Sequence, residues 1–526
     1  MQKLYIKHLG PIEECEINID EFMVCTGPQA SGKSTIAKSI FFFKNIKNIL
    51  FVEYKKKYLL NRHVAESRNV TVKQRFMKEV RANFLQIFGI TGSLDGDMFL
   101  QYQYTEKKIL KVFLEKNKEG LYEVKVDFSK DFNELFEMLE NRSKEIHNHP
   151  DPILELTERE IKEFFNDKTD VVYIPAGRSM ITLLSNQMNY IYSSMDDIQK
   201  RNMDYCTRSY LEKILQMKSV FTISPVEMLN DVIAMTYIKI DEERAKESIS
   251  LMKQLLQGEY INKDGEERLQ VSNNRYVKLN YASSGQQEVV WILNVLFYYL
   301  LNGESTYFII EEPESHMHPQ MQTAFATYLE KFLGKLSTVQ IQTFLTSHSA
   351  HIANTMEFAK IRYAQKTNTG VIYKNLNTFA QANSDNVDFI RKYLTLTKCD
   401  LFFADKAIFV EGASERLLLP DMIEKCESSG AFGPCKYPLS AQYYTLVEIG
   451  GAYAHKFIPF VEFLGLPCLI LTDLDPVANR KGRGGKVAKK SVMVSEGETT
   501  SNETIKWWVC RNKGLSGDDT SKIDLS

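Results

Sequence analysis

No C-x-x-C pair occurs among the eight cysteines, which stand at 15, 25, 206, 399, 426, 435, 468 and 510. Without paired thiols a structural zinc is not expected, and the cysteines inside strand-like apolar runs read as reduced, buried thiols of a cytoplasmic protein. Net charge is equally scarce. Lys+Arg 65 against Asp+Glu 67 leaves −2, so any grip on nucleic acid has to come from a local basic patch. The opening Met1-Gln2-Lys3-Leu4-Tyr5-Ile6-Lys7 alternates like a strand and lacks a signal-peptide core. The longest apolar run, 289–301, is interrupted by Asn294 and is too short to span a bilayer, so no membrane partner is expected. No internal repeat is evident. Length is not scarce: 526 residues exceed one ordinary core and imply two or three domains.

The chain is organised around Gly27-Pro28-Gln29-Ala30-Ser31-Gly32-Lys33-Ser34, entered from the apolar run Phe22-Met23-Val24-Cys25 and followed, from Thr35, by a helix expected over 35–43. This is a complete G-x-x-x-x-G-K-[ST] phosphate loop. Gly27 and Gly32 let backbone N–H groups turn inward on an anion, Lys33 offers a point charge to the β- and γ-phosphates, and Ser34 offers a hydroxyl to Mg²⁺. The positive end of the helix would face the phosphates. ATP and Mg²⁺ are the expected cofactors.

Before the loop, residues 1–26 read as two strands around Gly10-Pro11, the second delivering the loop. Residues 45–88 have a charged helical pattern. Residues 98–128 alternate around Asn117-Lys118-Glu119-Gly120, a hairpin signal, and predict an antiparallel flap. Val171-Val172-Tyr173-Ile174-Pro175 reads as a buried strand, after which Arg178 is expected either near nucleotide or a neighbouring subunit, or simply at the surface. Residues 180–257 carry amphipathic helical spacing and read as a helical insertion whose apolar stripes serve packing.

Three further segments complete the first half. Ser283-Ser284-Gly285-Gln286-Gln287 opens the apolar helix 289–301, a second anion-binding turn. Tyr307-Phe308-Ile309-Ile310 ends in Glu311-Glu312-Pro313-Glu314, where Glu311 suits the Mg²⁺ shell and Glu312 the attacking water. Thr343-Phe344-Leu345-Thr346-Ser347 delivers His348 to the same edge, within reach of a γ-phosphate.

In that order these motifs resemble the ATP-binding-cassette ATPases of chromosome maintenance and double-strand-break repair, and Glu311-Glu312-Pro313-Glu314-Ser315-His316-Met317-His318-Pro319 is similar to their bacterial AAA-type relatives. Glu311 departs from the aspartate usual there. The resemblance implies that Ser284, Gly285 and Gln286 cap the γ-phosphate held by a second subunit, so a homodimer or higher homo-oligomer is expected. It also puts His316 and His318 in a subunit-contact loop; no third ligand follows at zinc-like spacing, and His147 and His149 are read as non-ligands too.

After a helical stretch ending near 393 a new domain begins at about 400. Lys406-Ala407-Ile408-Phe409-Val410 leads into Glu411-Gly412-Ala413-Ser414-Glu415. A strand over 443–449 breaks at Gly450-Gly451, a helix over 453–464 follows, and the strand 467–472 ends in Asp473-Leu474-Asp475. Strand–helix alternation implies a parallel sheet with its site at the strands' carboxyl ends. Glu411, Asp473 and Asp475 should converge there, and clustered carboxylates call for Mg²⁺ or Mn²⁺. Residues 480–490 read as a flexible basic loop suited to DNA phosphates. Thr500-Ser501-Asn502-Glu503-Thr504 reads as the cap of a helix carrying Trp507-Trp508.

The E-G-x-x-E and D-x-D motifs resemble the Toprim domain, and with the ATPase motifs the chain is similar to the overcoming-lysogenisation-defect (OLD) family of ATPase–Toprim nucleases. That implies an α/β chain with an ABC/AAA-type ATPase domain at 1–395, a helical insertion at about 180–270, and a Toprim domain at 400–526. It further implies metal ligation by Glu411, Glu415, Asp473 and Asp475, DNA as substrate, and anti-phage defence, with an accessory protein or an RNA–DNA hybrid as candidate activator. The later acidic and basic residues of full Toprim modules are missing, so a fragment or an incomplete second metal site is expected, and an ATP-driven DNA clamp that does not cut is the alternative.

Overall fold

The computed structural model describes residues 2–60, 70–145, 150–183, 185–196, 199–200, 203–235, 240–272, 274–332, 340–383, 390, 394, 399–431, 433, 437–481 and 487–513. His147, His149 and Cys435 lie outside them. The chain divides into two units, Met1–Tyr373 and Lys374–Ser526.

The first unit is built on one eleven-stranded sheet. Its strands are β1 (Gln2–Leu9), β2 (Ile12–Ile19), β3 (Phe22–Thr26), β4 (Phe99–Gln103), β5 (Ile109–Lys116), β6 (Tyr122–Phe128) and β7 (Asp170–Ile174). After a separate three-stranded sheet of β8 (Glu259–Lys263), β9 (Glu266–Ser272) and β10 (Arg275–Lys278) come β11 (Thr306–Glu311), β12 (Ile341–Ser347), β13 (Ile361–Lys366) and β14 (Val371–Asn375). The spatial order is β6-β5-β4-β1-β2-β14-β13-β3-β12-β11-β7.

Strands β7, β11, β12, β3 and β13 run parallel. Every residue of β3 and β11 is buried, as strands covered on both faces require. The wing β2-β1-β4-β5-β6 is antiparallel, and β5 buries only alternate residues, Leu110, Val112 and Leu114. The helix Lys33–Leu60 packs Ile36, Ile40, Phe42 and Tyr54 into one core. Helices Tyr205–Met217, Glu242–Leu256 and Ser284–Leu301 share a second core with Trp291, so the apolar stripes of the insertion do serve packing.

Several expectations need correction. Three strands, not two, precede the loop, and β3 is the one that delivers it, because Asp20-Glu21 separates two apolar runs that read as one. The phosphate-loop helix continues far past residue 43, to Leu60. The flap is the outer edge of the main sheet, since β4 pairs with β1. The insertion ceases to be helical at Leu256 and continues as β8–β10. Residues 361–375, to which the sequence assigned no strand, form β13 and β14.

In the second unit β15 (Lys406–Val410) pairs in parallel with β16 (Tyr444–Glu448) and β17 (Cys468–Ile470), as the alternation predicts. A second sheet holds β18 (Pro476–Lys481), β19 (Val487–Ser491) and β20 (Thr499–Thr500), followed by the helix Glu503–Lys513. The basic stretch 480–490 is therefore the two arms of the hairpin β18–β19 and not a loop throughout. No described helix is long and apolar enough to cross a membrane. Cys15, Cys25, Cys206 and Cys399 are buried free thiols.

Candidate functional site

Register brings the phosphate loop, the acidic pair and His348 to one edge. Glu311 lies opposite Thr346, and Ser347 lies opposite Thr26, so β11, β12 and β3 end level with one another. The loop between β3 and its helix needs glycine for space. A Cβ at Gly27, whose φ is +143°, would sit 2.6 Å from the Ala364 carbonyl oxygen, and one at Gly32 (φ +76°) would sit 2.9 Å from Ile12. The Lys33 ammonium donates to Gly27 O at 3.0 Å, Pro28 O at 2.8 Å and Ser31 Oγ at 3.1 Å. Burial lowers its pKa to about 8. Gln29, Ala30 and Ser34 are exposed around it. Beside the loop a cavity of about 440 Å³ is lined by His8, Gly10, Pro11, Ala30, Lys366 and Thr369, a volume suited to a small ligand.

Glu311 is buried at the end of β11, and that burial raises its carboxyl pKa against the opposing Ser34 and Tyr173 hydroxyls. Its Oε1 has no hydrogen-bond partner among the described residues. A buried carboxylate with one orphaned oxygen, beside the Ser34 hydroxyl, fits Mg²⁺, which is held by one or two protein groups with phosphate and water completing its shell. Glu312 has a φ of +41°, in the left-handed region, and its N–H donates to Thr346 O at 3.0 Å. Its carboxylate lies 3.4 Å from His348 Nε2, and this contact is the main reason its pKa is lowered. His348 is fixed from behind: Glu314 Oε1 accepts from the His348 N–H at 2.6 Å and from Ser347 Oγ at 3.0 Å. Glu314 received no role from the sequence.

Arg178 is neither at the surface nor facing open space. It is fully buried, and its guanidinium donates to the Pro175, Glu311 and Glu312 carbonyls. The turn at 283–287 is a capping box: Ser283 Oγ accepts from Gln286 N–H, and Gln286 Oε1 accepts from Ser283 N–H at 3.0 Å. Gln286 Nε2 also donates to Leu256 O at 2.7 Å, so Gln286 is spent within the chain, whereas Ser284 is exposed in the first turn. Gly285 is packed so closely that a Cβ would lie 3.0 Å from the His316 carbonyl oxygen. His318 Nδ1 accepts from Gln320 N–H at 3.3 Å.

In the second unit Glu411 follows β15 and Asp473 follows β17. Glu411 Oε1 accepts from Asp473 N–H at 2.9 Å, from Thr472 Oγ1, and from Asn502 Nδ2 at 3.3 Å. Asn502 Nδ2 also reaches Asp473 O at 3.2 Å and Asp475 Oδ2 at 3.4 Å, while its Oδ1 caps the final helix through Thr504 and Ile505 N–H. Sequence reasoning saw Asn502 only as part of a cap; its 1 % exposure and central place among the acids come from the fold. The Glu411 charge, more than burial and the further charges of Asp475 and Glu415, raises the Asp473 carboxyl pKa. Glu415 Oε2 accepts from Gly412 N–H at 2.9 Å, which makes it first of all a helix cap. Among the described residues no group of three or more His, Cys, Asp or Glu is close enough to cage a metal ion. Acids that repel one another across an exposed edge still fit a hard divalent cation that keeps several waters.

Residues 1–353 match the family model described as AAA ATPase domain, and residues 402–475 match that of the overcoming lysogenization defect protein-like TOPRIM domain. Endonuclease GajA of Bacillus cereus (strain HuB5-5) is 28% identical over 262 residues, 45% of this chain and 36% of that protein. OLD nuclease of Thermus scotoductus (strain ATCC 700910 / SA-01) is 23% identical over 206 residues, 38% of this chain and 36% of that protein. The match thus spans little more than a third of the length of these relatives. Among solved structures, the SMC head domain from Thermotoga maritima aligns with a TM-score of 0.31 at 12% identity, over 71% of this chain and 97% of that one.

Proposed function

The chain belongs to the AAA ATPase domain family, and from that premise we propose that it is an ATP-hydrolysing, metal-dependent DNA endonuclease. The observation that carries the ATPase part of the reading is the meeting at one sheet edge of the buried Lys33 ammonium, the buried Glu311 carboxylate with its orphaned Oε1, and the Glu312–His348 pair. Loop N–H groups and Lys33 would bind the β- and γ-phosphates, and Ser34 and Glu311 would hold Mg²⁺, which supplies charge neutralisation. Glu312 then takes the proton of the attacking water, with His348 orienting it.

In the second unit Glu411, Asp473 and Asp475 would hold Mg²⁺ or Mn²⁺ at the scissile phosphate, where the cation supplies electrostatic stabilisation and an acidified water. Thr472 and Asn502 fix Glu411 for that task. The hairpin β18–β19 offers Lys489 and Lys490, both exposed, to DNA phosphates. The names of the relatives, an endonuclease and a nuclease, support DNA cleavage, and the OLD-type resemblance supports a cytoplasmic anti-phage role. The exposed Ser284 at a helix N-terminus supports a homodimer in which one protomer caps the ATP of the other.

The test is supercoiled plasmid incubated with the protein, ATP and either Mg²⁺ or Mn²⁺. Nicked or linear product supports the endonuclease. A second reading, a DNA clamp that does not cut, is favoured by the engagement of Glu415 as a helix cap and by the lack of a closed three-acid cage among the described residues. Retarded but uncut plasmid with both metals would establish it.

A further inference from the structure

Arg178 is the first residue of the short helix Arg178–Leu183 and lies immediately beyond β7. It is 0 % exposed. Its Nη1 donates to Pro175 O at 2.7 Å and Glu311 O at 2.6 Å, and its Nη2 donates to Glu312 O at 3.1 Å. Its Nε lies 3.2 Å from Glu288 Oε2. One rigid fork therefore grips both carbonyls of the acidic pair and, with its remaining nitrogen, donates to the Glu288 carbonyl on another element at 3.4 Å while pairing with that residue's carboxylate. A lysine could not reproduce this, because an ammonium lacks the planar array of five donors.

The other element is the helix Ser284–Leu301. Glu288, 1 % exposed, lies one turn from the exposed Ser284 and the tightly packed Gly285. Thr182, also on the short helix, adds a second tie by donating from Oγ1 to Gln287 O at 2.9 Å. At the acidic pair the fork holds a strained point. Glu312 has φ +41°, a region a non-glycine residue occupies only when its surroundings enforce it. From that backbone the Glu312 carboxylate lies 3.4 Å from His348 Nε2.

We propose that Arg178 is the positioning residue for Glu312, and that through Glu288 it couples the attitude of that carboxylate to the amino-terminal turn of the helix Ser284–Leu301. A shift of that turn either moves the fork, and Glu312 with it, or breaks a desolvated ion pair. Water attack at the γ-phosphate is thereby tied to what sits on Ser284 and Gly285. This rests on the ATPase reading above.

The test uses the full chain and two readouts: ATP turnover at saturating nucleotide, and equilibrium binding of a fluorescent N-methylanthraniloyl ATP. For Arg178→Lys, turnover is expected to fall about tenfold or more while the dissociation constant stays within about threefold, a split that a general loss of fold does not give. Parent-like turnover, or turnover and affinity falling together, overturns the proposal. If Arg178→Lys does not fold, Glu288→Gln keeps the four carbonyl bonds, that to Glu288 O included, and removes only the charge pairing with the helix; turnover about threefold or more below the parent with unchanged affinity is then expected, and parent-like turnover overturns the coupling. A parent that binds the analogue and releases no phosphate overturns the ATPase reading itself, and this proposal with it.

Discussion

Glu312 and His348, delivered by two parallel neighbouring strands, meet with 3.4 Å between carboxylate and Nε2. The contact keeps the Glu312 carboxyl below its ordinary range. Glu312→Gln should bind ATP as the parent does and lose turnover by about two orders of magnitude, the scale of a general base. Phosphate release beside nucleotide binding checks this, and parent-like turnover would contradict it. Because the folded pKa is depressed, the stabilisation from this pair is present above the ordinary carboxylate pKa and is lost as pH falls through the lowered one. As far as Glu312 sets it, turnover should therefore hold its level through the ordinary carboxylate range and drop only below it.

Lys33 gives a prediction on the alkaline side. Its pKa of about 8 reflects burial outweighing the nearby acids. The folded value is lowered, so the lysine disfavours its charged form in the nucleotide-free protein, and phosphate binding should drive it back to the ammonium. ATP binding at about pH 8.5 should take up a fraction of a proton, seen as a calorimetric heat that varies with the ionisation enthalpy of the buffer. Lys33→Ala should abolish that dependence along with most of the affinity. Equal heats in all buffers for the parent would contradict the assignment.

Asn502 ties the acids of the second unit to the final helix. Asn502→Ala should lower stability by about 1 kcal/mol for the lost cap, and by about a further 1–3 kcal/mol for buried groups left unpaired. Plasmid cleavage should fall with it, whereas Glu503→Gln, on the exposed side of the same turn, should leave both near the parent. Thermal melting and nicking assays distinguish the two.

Ser284 and Lys33 supply a test of subunit exchange. If the exposed turn of one protomer caps the nucleotide of another, mixing Lys33→Ala with Ser284→Arg protein should regenerate one intact composite site per heterodimer. Some ATPase activity absent from either variant alone should then return. No recovery in a verified heterodimer would contradict the arrangement.

Much of this was legible in the sequence because it rests on local patterns. A glycine-framed loop, a four-residue apolar run ending in acids and a strand ending in T-S-H each announce their own geometry, and the parallel register aligns them. What could not be read depends on distant pairing. β13 and β14 were not read as strands because they pair with β3 and β2, hundreds of residues away. The basic stretch at 480–490 read as a flexible loop because its lysines and glycines hide the pairing of β18 with β19. Arg178 looked like a lone charge; only the fold shows three carbonyls and Glu288 converging on it. Glu314 and Asn502 are similar, polar residues whose partners come from other strands.

The most direct test of the account is cleavage of supercoiled plasmid by Asp473→Ala beside the parent, both folded by thermal melting, with Mg²⁺ or Mn²⁺ present. Asp473 is exposed and its side chain carries no structural hydrogen bond among those described, so its removal should leave the fold intact. The account predicts that the parent cuts and that Asp473→Ala does so at least about a hundredfold more slowly, with ATP turnover unchanged. Equal cutting by the two proteins would contradict it.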